Sequence, residues 1–233
     1  MSKTKLFGIA VVLFSLTVSS LYGQRKEINQ KEYNELMNKI RENTRKYSYR
    51  LINVKTRYRQ DGITIQETER NVTEYVPSGN RRFSSEIVNH VIDRTTITEL
   101  IKIDGIEYRK VNNGKWGIVS SRTVIGNENI ISKEYKYKKY YLTENVRIDG
   151  QTVNIIEFEN EDILKYKNFS NSKIIETQNY YRWKWIIKDG LFLRFEAVSE
   201  KANPKTSISN SISNYEYDPN IKIEAPIKPE ELK

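Results

Sequence analysis

Cysteine is absent from this chain and histidine occurs once, as His90. The missing cysteine excludes disulfides, thiol nucleophiles and cysteine-ligated metal sites, so stability has to come from packing. It also excludes N-terminal lipidation of the bacterial kind, which needs a cysteine at the cleavage point. The single histidine confines any histidine-dependent triad to His90, and its neighbours Asn89 and Val91 supply no motif; it reads as an ordinary strand residue. A long apolar run is missing too. The stretch from Leu6 to Val18 falls short of the roughly 20 residues a membrane helix requires.

That stretch is nevertheless informative. Lys3 and Lys5 precede it, and Ser19 and Ser20 follow it before the charged Arg25-Lys26-Glu27, which is the layout of a secretory signal peptide. Cleavage is expected after Ser20 or Gly23, giving a signal over residues 1–23 and a mature domain over residues 24–233. A retained membrane anchor is the rival reading. Loss of Lys3 and Lys5, with no acid lost beside them, takes the formal charge from +9 to +7. Such a surplus favours anionic partners. For an exported chain these are phospholipid head groups and other surface anions rather than nucleic acid. A merely basic soluble surface explains the charge equally well.

Asn29 followed by Glu32 has capping-box spacing, with Ile28 and Tyr33 placed as a hydrophobic staple, so a helix is expected from about Gln30. Tyr33, Leu36, Met37 and Ile40 share one face of it, and the pattern fades by Tyr47. From Tyr49 the period becomes two. Runs rich in Thr, Val, Tyr and Ile alternate with turn signals at Asp61-Gly62, Pro77-Ser78-Gly79-Asn80, Asp104-Gly105, Asn113-Gly114, Asp149-Gly150 and Asp189-Gly190. Ser120 to Ser132 has no clean period and reads as a loop or short helix. Glu159 to Ser172 reads as polar and irregular. Tyr181, Trp183, Trp185 and Ile187 face one way against Arg182 and Lys184, and Leu191, Leu193, Phe195 and Ala197 continue the scheme after the turn. About ten strands and one helix result, without a βαβ rhythm, which argues for an antiparallel sheet or barrel with helical cover on one side.

The order of these pieces resembles the periplasmic outer-membrane lipoprotein carriers and their relatives, a LolA-like superfamily that includes mycobacterial lipid-binding lipoproteins and a sensor of misplaced lipoproteins. The resemblance is carried by the helix before the first long strand, Tyr75-Val76-Pro77 leading to Arg82-Phe83, Ile103-Asp104-Gly105 with Tyr108, Asn113-Gly114-Lys115-Trp116, Trp185-Ile186-Ile187-Lys188-Asp189-Gly190-Leu191, and the closing Tyr215-Glu216-Tyr217 with Ile223-Glu224-Ala225-Pro226. It implies a mainly β protein with some helix. The expected architecture is a curved antiparallel sheet forming an unclosed half-barrel, with the N-terminal helix and short helices or loops over its concave face. It further implies an apolar hollow that takes acyl chains, with no catalytic residues to transfer. Two departures stand out: the mean hydropathy is −0.70, polar for a lipid carrier, and the lipobox of the lipoprotein branches is missing.

On that reading Leu36, Met37, Ile40, Trp116, Tyr181, Trp183, Trp185, Leu193 and Phe195 are candidates for the cavity wall. Ordinary core packing is the alternative for each, the tryptophans included. In Lys133-Glu134-Tyr135-Lys136-Tyr137-Lys138-Lys139-Tyr140-Tyr141, the residues Lys136, Lys138 and Lys139 are candidates for contact with an anionic surface. A strand edge defended by lysines is the alternative. The acidic group Glu157, Glu159, Glu161 and Asp162 reads as a solvated loop rather than an acid/base pair, and the Asp-Gly pairs as turns rather than calcium ligands. The expectation is a monomeric, non-enzymatic, exported protein without cofactor that holds a lipid or the acyl chains of a lipoprotein. The alternative is an envelope sensor or protein-interaction module on the same fold, meeting a membrane surface or envelope protein.

Overall fold

The computed structural model describes residues 23–119, 130–167, 174–202 and 205–227. The expected signal segment lies outside these residues except for Gly23, as do positions 120–129 of the stretch read as a loop or short helix.

A short strand β1 (Lys26–Ile28) leads into helix α1 (Gln30–Thr44). Then come β2 (Tyr49–Tyr58), β3 (Ile65–Tyr75), β4 (Arg81–Asn89), β5 (Arg94–Ile103), β6 (Ile106–Val111) and β7 (Gly117–Ile118). The second half holds β8 (Ile130–Ile148), β9 (Gln151–Lys167), β10 (Ile174–Lys188), β11 (Leu191–Ala202) and β12 (Lys205–Tyr217).

The helix starts where the sequence places its cap. The Asn29 side chain accepts from the Lys31 and Glu32 backbone N–H groups at 2.9 and 3.0 Å, and the Glu32 carboxylate accepts from the Asn29 N–H at 2.9 Å. This reciprocal box satisfies donors that a helix N-terminus otherwise leaves bare. Asn29→Ala is expected to cost about 1 kcal/mol, seen as a lower urea midpoint with an unchanged slope. An unchanged midpoint would mean that water replaces the cap at no cost.

All twelve strands form one antiparallel sheet in the order β1-β8-β9-β10-β11-β12-β2-β3-β4-β5-β6-β7. Two meanders, β2 to β7 and β8 to β12, are joined where the last strand pairs with the first long one, Tyr217 opposite Tyr49 through Ser209 opposite Arg57. The sheet does not close: β1 and β7 are its two edges. Register shifts in β8, β10–β11, β11–β12 and β2–β3 add local twist and bend the sheet around one face. Tight turns connect β5 to β6, β8 to β9 and β10 to β11. Asp149-Gly150 and Asp189-Gly190 have φ of 48°/76° and 52°/74°, the paired left-handed geometry that suits a two-residue hairpin.

The architecture is the expected unclosed half-barrel, with twelve strands where about ten were read and α1 as the helix over its inner face among the described residues. Two local expectations are corrected. Residues 159–167 are strand, not irregular chain, because β9 runs on to pair with both β8 and β10. Its acids are therefore placed by alternation: Glu157 and Glu159 receive Arg25 at 2.7 and 2.8 Å, Glu161 receives Lys136 at 3.2 Å, and Asp162 is 0% exposed beside Asn179. His90 sits in the turn after β4, its Nε2 3.1 Å from the Thr68 hydroxyl, rather than within a strand.

The main core lies between α1 and the inner face of the sheet. Met37 and Ile40 pack on Ile156, Ile187 and Phe192, flanked by Tyr33, Leu36, Leu142, Trp185 and Tyr215. Ile28, Tyr140 and Phe158 extend it toward the β1 edge.

Candidate ligand-binding hollow

Helix α1 rests on β8 and β11, and beyond its C-terminal turn the inner face of the sheet is left open. The result is a hollow of about 830 Å³, within the rough 300–1,000 Å³ range of small-molecule sites. Its apolar wall is Met37, Leu51, Phe83, Trp185, Phe192 and Phe195. Val76, Pro77 and Gly79 border it from the turn after β3, and the remaining lining is tyrosine, amide, hydroxyl and cation.

Strand register explains how distant residues meet there. Directly opposed residues of antiparallel strands share a face. One row runs Tyr217, Tyr49, Tyr75, Arg81, Lys102 across β12, β2, β3, β4 and β5. The next inner row runs Tyr215, Leu51, Thr73, Phe83, and the third runs Trp185, Phe195, Ser213, Asn53, Asn71, Ser85. The hollow thus grades from a tyrosine and cation rim, through a mixed apolar row, to a floor that is aromatic at one end and amide-rich at the other.

The tyrosines are mutually braced. Tyr49 stacks on Tyr75 with centroids 4.8 Å apart and lies 5.6 Å from Tyr215, while Tyr215 stacks on Phe192 at 5.4 Å. The Tyr217 hydroxyl donates to the Phe192 carbonyl at 2.8 Å. Burial, reinforced by neighbouring Tyr217 and Tyr75 and opposed by Arg41, pushes the Tyr215 hydroxyl up to about 12. Burial likewise drives Tyr49 upward, with Arg45 acting against it. These rings are neutral hydrogen-bonding groups on a half-dry surface.

The sequence-selected residues divide. Met37, Trp185 and Phe195 line the hollow. Ile40 is buried beneath the helix, and Leu36 instead borders a smaller recess of about 320 Å³ with Ile28, Leu142, Glu32, Glu35, Lys26 and Lys39. Trp183 lies on the same sheet face, 5.0 Å from Phe158 and edge-on to Trp185 at 6.1 Å, and it is 38% exposed. It continues the aromatic strip past the helix. Tyr181 follows one further register pair along β10, opposite Asn160 and Ser199, and does not line the hollow.

Leu193 and Trp116 are placed elsewhere. A register shift opposite Ile186 and Ile187 inserts Leu193 into β11 as an extra residue, so Phe192 takes the inner position and Leu193 packs on the outer face with Val146, Val153 and Ile186. Simple alternation cannot anticipate that reversal. Trp116 precedes β7 at the far edge of the sheet, with Lys110 over its ring at 5.5 Å.

Lys136, Lys138 and Lys139 do not form a common patch. They lie on the part of β8 that has no strand on its outer side among the described residues, where alternation sends Lys138 and Lys139 to opposite faces. Lys136 is paired with Glu161, and Lys138 sits over the Tyr135 ring at 3.8 Å. This is the geometry of a lysine-defended edge.

Residues missed by sequence reasoning include Arg41 on α1 and Arg45 at its C-cap, Arg81 and Lys102 on the sheet, and the tyrosine row. The spacing of Met37, Arg41 and Arg45 at i, i+4 and i+8 is the one legible hint, since it puts both arginines beside the inward methionine.

The structure defines a class, an open antiparallel half-barrel with a helix laid across its concave face and a hollow beside the helix. It is similar to the crystal structure of LprF from Mycobacterium bovis at 10% identity, covering 85% of this chain and 99% of that one with a TM-score of 0.39. It is also similar to a DUF1329 family protein from Desulfovibrio piger at 11% identity, covering 87% and 96% with a TM-score of 0.29. No known family's sequence profile and no curated protein matches the chain. Among the described residues, no helix is long and apolar enough to cross a membrane.

Proposed function

We propose that this protein is an exported, non-enzymatic binding protein that holds an apolar ligand, a lipid or the acyl chains of a lipoprotein, in the concave hollow. The observation that carries this reading is the hollow itself: an open space of about 830 Å³ beside α1, bordered by Leu51, Phe83 and Phe195, which are only half-buried on the inner face of the sheet. Apolar surface left beside water is a driving force for an apolar guest. In this reading the chain carries a signal peptide over residues 1–23, is released as a soluble domain beginning between Leu21 and Gln24, and works as a monomer.

The test starts from cells expressing the whole chain. The protein is expected in the soluble envelope fraction, and organic extraction followed by mass spectrometry is expected to release a co-purifying lipid. After delipidation, a fatty-acid probe should quench or shift tryptophan emission through Trp185. Phe195→Ala should weaken uptake about tenfold or more, as loss of a large aromatic contact implies. A lipid-free protein that also ignores the probe would remove the carrier reading.

A further inference from the structure

The hollow is not uniformly apolar, and its charge is one-sided. Arg41, Arg45, Arg81 and Lys102 all line it, and among the described residues no acidic side chain does. Their placement is directional as well. Arg81 and Lys102 are register partners in the rim row with Tyr49 and Tyr75, while Arg41 and Arg45 lie at the C-terminal end of α1. The two pairs come from different elements, so the same mouth receives cations from the helix and from the sheet. The aromatic residues Phe195 and Trp185 belong to the third row, two rows inward.

These cations are poorly compensated by the protein. Among the described residues, Arg41, Arg45 and Lys102 have no carboxylate within ion-pair distance, and Arg41 makes only a 3.4 Å hydrogen bond to Asn38. Arg81 reaches Glu107 only at 3.8 Å through Nη2, too long for a hydrogen bond. A guanidinium that lines an open hollow without a hydrogen-bonded carboxylate keeps donors for an acceptor brought from outside. Arg41 and Arg45 also complement the negative end of the helix dipole, a role the sheet cations Arg81 and Lys102 cannot share.

We propose that the hollow selects an anionic amphiphile, with a carboxylate or phosphate head group held at the rim by Arg81, Lys102, Arg41 and Arg45 and the hydrocarbon chain directed inward over Leu51, Phe83, Phe195 and Trp185. This rests on the carrier reading and adds head-group sign and orientation to it. The Tyr49 and Tyr75 hydroxyls of the rim supply further donors to the same head. Charge-assisted hydrogen bonds to oxyanions are strong enough to discriminate heads on identical tails.

Binding of three probes with one chain length to the delipidated protein tests it: hexadecanoate, hexadecanol and hexadecyltrimethylammonium, each below its micellar concentration, with inorganic phosphate as a fourth. Hexadecanoate is expected to bind about tenfold or more tightly than hexadecanol, with the cationic probe weakest, and added salt should narrow the gap. Arg81→Gln with Lys102→Gln should bring the acid and the alcohol within about threefold, chiefly by weakening the acid. The separate pair Arg41→Gln with Arg45→Gln alters exposed helix positions and keeps the test valid should the sheet variant fail to fold. Equal binding of acid and alcohol to the wild type overturns the head-group assignment but leaves the carrier reading intact. Absence of binding by all three amphiphiles overturns the carrier reading itself. Phosphate binding as tightly as hexadecanoate overturns the amphiphile in favour of a small-anion site.

Discussion

Met37→Asp is expected to destabilise the protein by about 4 kcal/mol or more, enough to leave a marginal domain largely unfolded. Met37 is 2% exposed and Ile156, beneath it, is 1% exposed. The cluster around them is the contact between α1 and the sheet, so an aspartate there is stripped of water among apolar side chains, and Arg41 one turn on reaches it only by leaving the rim of the hollow. The expected result is loss of near-ultraviolet circular dichroism together with a large fall in the urea midpoint. Lys39→Asp is the matched control: it places the same charge on the exposed side of α1 and should change stability by less than about 0.5 kcal/mol. If the two variants melted alike, the helix would not be docked in solution, and the hollow it borders would lose its wall.

Above pH 10 the fold should fail through its tyrosines. Tyr33 and Tyr215 are both pushed from the ordinary 10.0 to about 12, burial being the largest cause in each, and Tyr49 is raised for the same reason. For a phenol the neutral form is the protonated one, so a raised value means that the native state holds its proton where the unfolded chain has released it. The stability from these groups is complete below pH 10 and is lost progressively as pH climbs through about 12. Moving one tyrosine by that amount corresponds to about 2 to 3 kcal/mol, and several move together in one cluster. Tyrosinate absorbance should therefore rise in two stages, an exposed class near the ordinary value and a buried class whose ionisation coincides with cooperative unfolding. A single smooth titration near 10 with native dichroism retained throughout would show that the cluster is open to solvent.

Occupation of the hollow bears on both results. A guest that binds only the folded state adds stability by mass action, so on the proposed carrier reading protein purified with a bound lipid should resist alkali and urea better than the delipidated form. Comparing the two forms separates what the side chains hold together from what the ligand adds.

Much of the frame was legible in residue order. The Asn29 and Glu32 pair announced the start of α1 to the residue, since a cap depends only on neighbours within one turn. Asp104-Gly105, Asp149-Gly150 and Asp189-Gly190 announced their hairpins for the same reason. Period-two runs announced strands. Within the candidate site, Met37, Trp185 and Phe195 were reachable because each lies on the apolar face of a regular element.

What failed to show was everything set by pairing. The reversal at Leu193 comes from one extra residue in β11 opposite Ile186 and Ile187, a property of two strands that neither segment announces on its own. The polar run from Glu159 looked like loop because its acids break the apolar pattern; it is strand because β8 and β10 lie on either side and Arg25 and Lys136 neutralise the outer acids. Arg81 and Lys102 are separated in sequence by most of two strands, yet register sets them side by side.

Local sequence therefore determined the elements of this protein, because capping, turn geometry and face alternation act over a few residues. Tertiary structure alone decided the hollow. Its shape follows from where β12 meets β2 and from how far α1 reaches across the inner face, and its charge from cations that three separate elements, α1, β4 and β5, bring to one mouth. Contacts between segments far apart in the chain are chosen by the packing of the whole sheet, which no single segment encodes.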